Sequence, residues 1–385
     1  MVRVVNILAP YRLPTLKILE REERVRFETW LMASREHNRP WAASLSHGLR
    51  VRVFADWGID LSHREMLILH FNPGILRELS RRPPDLVVLG GYESPTNLAA
   101  GLLLDRRKVP FLFGTGAMDM GWRWPGGLLR ALIKNAMIRS SGVMVPGSAA
   151  REHALGLGVP TERISIVPYS VDTEMFTPIS PTHREALRRA LNLPQGVLCL
   201  FVGNLVYRKG VDLLLEAFRR MVPAHPEAHL LFLGEGPLRE DLTRQAEQDA
   251  ALSGRVHLLG PHPYASLPSY YGASDVFVLP TRDDIWGMVL NEAMSVGLPV
   301  ISSNRAGGAI DLIEDGVTGF NFPAEDVDTL STILGKLVAD EALREEVGRE
   351  ARRRIMDGFT PAHSARGAMK AILKTLESAH VERRT

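Results

Sequence analysis

Short apolar runs alternate along the chain with longer stretches whose apolar positions recur at helical spacing, a pattern that predicts parallel β-sheets wound with helices. In the first half, Arg3–Leu8, Arg50–Phe54, Leu86–Leu89, Pro110–Phe113 and Gly142–Val145 read as strands; in the second, Val197–Val202, Ala228–Leu233, Val256–Leu259, Val276–Leu279 and Val300–Ser302 do. Turn-rich loops follow most of these runs, the place where open parallel sheets hold ligands. The chain therefore reads as two doubly wound α/β domains. Prolines and small polar residues interrupt both periods between Val171 and Pro181, which puts the boundary there, with domains over 1–173 and 174–360. The segment Pro361–Arg384 reads as a helix with Ala365, Met369, Ile372 and Leu376 on or near one face, expected to pack back on the first domain.

A chain of 385 residues can bury two cores, and 45% hydrophobic with 23% charged residues is ordinary globular composition. No apolar run approaches the roughly 20 residues that span a bilayer, and Met1–Leu8 reads as the first strand rather than a secretory signal. A cytoplasmic protein is expected. The single cysteine, Cys199, lies inside the apolar run Val197–Val202; it excludes an internal disulfide or a cysteine cluster and reads as a buried strand residue. Basic residues outnumber acidic ones in the first half and the reverse holds in the second. That asymmetry fits an anionic partner or a membrane surface for the first half, and equally a surface with no partner. No nucleic-acid partner is expected.

The chemistry concentrates in the second half. After the strand ending at Val202 comes Gly203-Asn-Leu-Val-Tyr-Arg-Lys-Gly210 and a helical segment. Glycines let the backbone approach a ligand, and Arg208 with Lys209 beside free amides at a helix start suits a diphosphate; a plain basic turn is the alternative. The loop is neither a Walker A sequence nor a Gly-x-Gly-x-x-Gly fingerprint. Further on, Asp284 and Glu292 stand eight positions apart across Gly287 and the start of a helix carrying Met288 and Val289. Two acceptor groups flanking an amide cluster suit a sugar hydroxyl, a diphosphate and a ribose diol, against the alternative of a solvated charge pair.

From about Val197 to Phe322 the chain resembles the donor domain of the retaining glycosyltransferases of family 4. The resemblance rests on five motifs in order: Phe201-Val-Gly-Asn-Leu with Arg208-Lys-Gly; Leu233-Gly-Glu-Gly-Pro237; the segment Leu267 to Pro280; the Asp284 to Glu292 pair; and Gly307-Gly-Ala-Ile-Asp to Phe320. It implies the GT-B fold, two Rossmann-like domains facing each other across a cleft, with a nucleotide-diphosphate sugar bound to the second. It implies that Lys209 neutralises the leaving diphosphate, that Glu292 accepts hydrogen bonds from the donor ribose, and that amides around Gly287 and Met288, with Val289 beside them, hold the phosphate or sugar end. The family usually has Arg where this chain has Asn204, whose missing charge Arg208 is placed to supply; it usually has Glu where this chain has Asp284, with Asp283 a possible substitute. Trp286 replaces the more usual Phe, and two roles fit it: walling the sugar pocket or packing against the helix.

The resemblance implies a front-face transfer in which the phosphate takes the acceptor proton, so fixed cations and helix-end amides carry much of the catalysis and no protein base is required. A cofactor and a metal are not expected: Asp326-Val-Asp328 leads into a helical segment, where capping is the expected role. On the acceptor side, Tyr11 and Arg12 follow the first strand, Gly90 to Glu93 the third, and Gly114, Gly116 and Asp119 the fourth; Tyr11 and Arg12 are the acceptor-binding candidates. The segment Trp122–Arg139 mixes tryptophans, cations and an apolar stripe, which fits either a core-packing helix or peripheral contact with an anionic membrane and a lipid-linked acceptor. The expected function is retaining transfer of a sugar from a nucleotide-diphosphate sugar to an acceptor hydroxyl in glycan, polysaccharide or glycoconjugate biosynthesis. The alternatives are a GT-B-like nucleotide-sugar epimerase and a binding protein with a degenerate donor site.

Overall fold

The computed structural model describes residues 1–34, 48–61, 67–92, 94–116 and 127–382. These residues divide into two compact units, Met1–Ser170 with Pro361–Thr385 and Val171–Thr360.

The first unit carries a seven-stranded parallel sheet in the order β3-β2-β1-β6-β7-β8-β9, and a two-stranded antiparallel sheet of β4 and β5. Its strands are β1 (Val2–Val5), β2 (Glu28–Leu31), β3 (Val51–Val53), β4 (Ile59–Leu61), β5 (Leu67–Leu69), β6 (Val87–Gly90), β7 (Phe111–Gly114), β8 (Gly142–Val145) and β9 (Ile164–Ile166). Successive side chains of a strand face opposite sides, so β1 divides its residues between two apolar layers. Val2 and Val4 join the layer of Ile75, Leu104, Phe111 and Met137. Val5 joins the opposite layer, closed by Leu16 and Leu19 of the helix Leu13–Glu20 and by Ala365, Ala368, Met369 and Ile372 of the helix Pro361–Glu382. The carboxy-terminal helix thus completes the first unit, and the apolar stripe read in its sequence is the face it buries.

The helix Gly127–Arg139 turns Ile133, Ala136 and Met137 into the core, while Arg139 pairs with Asp105 at 2.8 Å. Among the described residues no helix is long and apolar enough to cross a membrane. Glu93, Asp119 and Trp122 to Gly126 lie outside the described residues.

The second unit holds a six-stranded parallel sheet in the order β12-β11-β10-β13-β14-β15. The strands are β10 (Val197–Val202), β11 (Ala228–Leu233), β12 (Val256–Gly260), β13 (Val276–Leu279), β14 (Val300–Ser303) and β15 (Phe320–Phe322). β10, β11 and β13 are buried along almost their whole length, as expected of central parallel strands covered on both faces. Cys199 pairs in register with Val276 and is fully buried; burial pushes its thiol up to about 12, so it is an inert packing group.

Counted from β10, the second sheet runs 3-2-1-4-5-6. Strand order therefore reverses between β10 and β13, and the crevice outside their carboxyl ends is where such sheets take ligands. The loops that leave those two ends are 203–210 and 280–287.

Candidate functional site

The two loops are locked to each other by backbone contact. Gly210 ends the short 3-10 turn Tyr207–Lys209 in the left-handed conformation at φ 68°, and a Cβ there would lie 2.0 Å from the Pro280 carbonyl oxygen. Only glycine allows that approach. Thr281, fully buried, donates its hydroxyl to the carbonyls of Arg208 and Asp283, each at 3.0 Å, and the Arg282 amide donates to the Arg208 carbonyl at 2.8 Å.

Arg282 adds a second clamp. Its guanidinium makes two 2.7 Å bonds to the Asp212 carboxylate and one of 2.6 Å to Glu325, donates to the Tyr207 carbonyl, and stacks 3.7 Å from the Tyr207 ring centroid. One planar fork thus ties the first turn of the helix Val211–Met221 to the loop that presents the cations.

Within this frame Lys209 and Asp284 form an ion pair, with side chains 15% and 16% exposed. Burial works against the Asp284 carboxylate, but Lys209, Arg208 and the Trp286 backbone amide outweigh it and hold its pKa below the usual range. Arg208 donates to the Asp283 carbonyl at 2.5 Å. Asp284 is fixed from behind as well: its amide donates to Arg305 and its carbonyl accepts from Gly307 at 2.9 Å. Beside it, Asp283 Oδ1 is buried with no hydrogen-bond partner among the described residues, an acceptor lacking a donor.

Gly287, left-handed at φ 83°, opens the helix Met288–Ser295, whose first two residues remain partly exposed while the rest is buried. The amides at this helix start are the free donors of the site. Trp286 is 4% exposed; its ring donates Nε1–H to Asn291 Oδ1 at 2.7 Å and lies 6.3 Å from the Phe359 ring. Of the two roles open to Trp286, this geometry is that of packing against the helix.

Glu292, also 4% exposed, accepts the Tyr271 hydroxyl at 2.7 Å. Burial raises its pKa to about 7, against the opposing effect of the Tyr271 and Tyr264 hydroxyls. The carboxylate is thus the proton-sensitive member of the site. Gly203 is partly exposed and Asn204 is exposed at the end of β10. The Asp326-Val-Asp328 sequence is a helix cap: Asp326 accepts the Thr329 amide at 2.9 Å, and Asp328 pairs with Arg220.

In the first unit, Tyr11 and Arg12 sit in the 3-10 turn Pro10–Arg12 after β1 and line a cavity with Gly90, Gly114 and Thr115. The structure therefore gathers the loops after β1, β6 and β7 at one end of that sheet. Tyr92 instead turns inward, 5% exposed, with its hydroxyl 3.1 Å from His153 Nε2. Arg282, Thr281 and Tyr264 carry no sequence signal of their own, because their roles arise from contacts between separate segments, and Tyr271 lies within the Leu267 to Pro280 motif with nothing there to show that it meets Glu292.

Comparison with known proteins agrees with this geometry. Residues 5–170 match the family model described as "Glycosyl transferase 4-like domain", and residues 183–354 match "Glycosyl transferases group 1". The sulfoquinovosyl transferase SQD2 of Arabidopsis thaliana is 28% identical over 300 residues, covering 74% of this chain and 56% of that protein. A GDP-mannose-dependent phosphatidylinositol monomannoside mannosyltransferase of Mycolicibacterium smegmatis is 31% identical, covering 52% and 53%. The alignments thus span about half the length of these relatives. The crystal structure of Anabaena Alr3699/HepE in complex with UDP superposes with a TM-score of 0.76 at 19% identity, covering 98% of this chain and 99% of that one, which establishes the fold as GT-B. With a 4-like domain on its first unit and a group 1 domain on its second, the chain belongs to the group 1 glycosyltransferases of GT-B fold.

Proposed function

We propose that the protein transfers a sugar from a nucleotide-diphosphate sugar to an acceptor hydroxyl, with retention at the anomeric carbon and without a metal ion. The single observation that carries this reading is the Lys209–Asp284 pair at the strand-order switch of the second sheet, flanked by the open amides at Met288 and the orphaned Asp283 oxygen. Such a crevice offers a cation and helix-start dipoles for a diphosphate, and carboxylates for sugar hydroxyls.

As the glycosidic bond breaks, negative charge grows on the leaving diphosphate. Lys209, shared between Asp284 and that phosphate, and the helix-start amides stabilise it more in the transition state than in the ground state. Glu292 in its ionised form accepts from the ribose diol. The departing phosphate takes the acceptor proton on the same face of the sugar, which accounts for retention without a protein base. Tyr11 and Arg12 of the first unit are the proposed acceptor contacts, and their chemistry suits a hydroxylated or anionic acceptor. A lipid-linked acceptor reached by peripheral membrane contact fits the first half's basic excess.

The test is incubation with UDP- and GDP-sugars in EDTA, followed by proton NMR of the released or transferred sugar. The expected result is slow donor hydrolysis giving the retained anomer first. An altered sugar still attached to its nucleotide identifies an epimerase instead, and absence of nucleotide binding identifies a protein with a degenerate donor site.

A further inference from the structure

The most unusual charge in the first unit lies outside every motif read in the sequence. Arg3 sits in the middle of β1, in register with Thr29 of β2 and Val88 of β6, so the three side chains share one face of the sheet. That face is the apolar layer under the helices Leu13–Glu20 and Pro361–Glu382, where Val88, Leu16, Leu19 and Ile372 pack. A guanidinium in such a layer normally has a carboxylate beside it. Among the described residues Arg3 has none within ion-pair distance. The acidic side chain nearest in kind, Glu20, lines the same space and accepts the Arg50 amide at 2.8 Å.

Around Arg3 the layer is open, with a cavity of about 100 Å³. Its second cation is Arg12, which hydrogen-bonds Tyr11. Its polar wall adds Tyr169 and the hydrogen-bonded hydroxyls of Thr15 and Ser170, 3.0 Å apart. The rest of its wall is mainly apolar, with Leu16, Leu19, Phe27, Val88 and Ile372, and also carries Glu20, Thr29, Thr115 and Ser364. Desolvation, and after it the neighbouring charge of Arg12, push the Arg3 guanidinium down to about 9, so it keeps its charge at neutral pH. The cavity thus holds Arg3, which burial and Arg12 disfavour, Arg12, whose charge Tyr11 and Tyr169 support, the Glu20 carboxylate and several hydroxyls.

We propose that this cavity binds a small phosphate monoester, its dianionic head between Arg3 and Arg12 and its short apolar tail against Leu19, Phe27 and Ile372. Two guanidinium groups match a dianion better than a carboxylate, and phosphate's oxygens accept from the fork and the hydroxyls together. Size follows from volume. At about 10–15 Å³ of such space per water-sized group, the cavity takes on the order of seven to ten non-hydrogen atoms, a phosphate with a chain of about four carbons. The inference rests on the proposed acceptor site only in sharing Tyr11 and Arg12 with it.

The experiment is calorimetric titration of the full chain with butyl phosphate, inorganic phosphate and butyrate. Butyl phosphate is expected to bind at least tenfold tighter than either of the others. Arg3→Met, which replaces a desolvated charge by an apolar side chain of similar length, should melt at the wild-type temperature or above while losing at least tenfold in butyl phosphate affinity. Thr29→Leu, which fills space beside Arg3 and leaves both cations, should erase the preference for butyl phosphate over inorganic phosphate, with circular dichroism confirming the fold. Equal affinity for butyl phosphate and inorganic phosphate in the wild type, or unchanged affinity in Arg3→Met, overturns the proposal. Titration of the same variants with UDP and GDP reads the second unit separately, so loss of the donor reading and loss of this one are distinguishable.

Discussion

Lys209 and Asp284 lie 75 residues apart in sequence and form an ion pair in which both side chains are largely shielded from water. A cation held ready by a carboxylate differs from one already committed to a ligand, because an arriving diphosphate competes with Asp284 for the same ammonium. Lys209→Met should therefore lower the rate of donor cleavage by about 10²–10³-fold, the usual cost of removing one donor to a developing anion. Asp284→Asn should tighten binding of the bare nucleoside diphosphate while slowing sugar transfer. Titration calorimetry with UDP or GDP beside steady-state kinetics checks both, and wild-type kinetics in Lys209→Met would remove the assignment.

Arg282 positions the cation loop without any part in the chemistry. Its bonds to Asp212 and Glu325 are partly exposed, with those carboxylates 39% and 57% accessible, so solvent screening reduces their worth to about 1–2 kcal/mol together. Arg282→Lys keeps the charge and loses the fork. The expected outcome is a fall in kcat of about tenfold with a smaller change in donor KM, and recovery of neither by added salt. A variant whose kcat is unchanged would show that backbone contacts at Gly210 and Thr281 suffice to hold Lys209.

The parts of this molecule most legible in its sequence are those where one physical demand dominates. β8, β10, β11 and β13 have the bounds that their apolar runs predict, because central parallel strands are buried on both faces and tolerate little else. β9 and β15, each of three residues at a sheet edge, carry too little apolar pattern to stand out. β2 is hidden for another reason: Thr29 interrupts its apolar run at the row shared with Arg3, where the sheet faces a cavity instead of packed side chains. β1 ends at Val5 rather than Leu8, although Ile7 and Leu8 remain buried in the approach to Pro10. At the site, the sequence motifs correspond to the loops that leave β10 and β13, with Lys209 and Asp284, and to the helix Met288–Ser295, with Glu292. They do not show that Asp284 takes Lys209, or that Glu292 lies against Tyr271, since those pairings depend on loops meeting across the sheet.

A buried ion pair at the amino ends of β10 and β13, the end of the sheet opposite the loops 203–210 and 280–287, contributes to the stability of the second unit. Arg188 donates to Asp275 at 2.6 Å and to the carbonyls of Ala273 and Gly196, while Asp275 also accepts the Leu198 amide at 2.7 Å and Arg184 at 3.1 Å. Removing one member leaves the other charge buried, at a cost of about 3–5 kcal/mol. Arg188→Met should lower the melting temperature of the second unit by on the order of 10 °C. Differential scanning calorimetry checks it, and a shift below about 2 °C would mean that Arg184 takes over the pairing.

Glu292 makes both function and stability depend on pH, with opposite preferences. Its pKa is raised to about 7 by burial, against about 4.3 in an unfolded chain. The folded state therefore holds a proton that the unfolded state releases, and the stabilisation is full below the unfolded value and lost as pH rises through 7. The loss amounts to at most about 4 kcal/mol. Binding a ribose diol requires the opposite form, since the ionised carboxylate offers acceptors on both oxygens. Donor affinity should thus rise, and intrinsic stability fall, as pH climbs from about 5 to about 7, with both levelling off above that. In Glu292→Gln the pH dependence of both should flatten: the melting temperature at pH 8 should exceed that of the wild type, since Gln keeps an acceptor for Tyr271 without a charge to desolvate, and donor KM should be higher at pH 8 and nearly constant. Melting curves and donor kinetics measured at pH 5.5, 7 and 8.5 on both proteins check the two signs together; a wild-type donor KM independent of pH would place the ribose elsewhere.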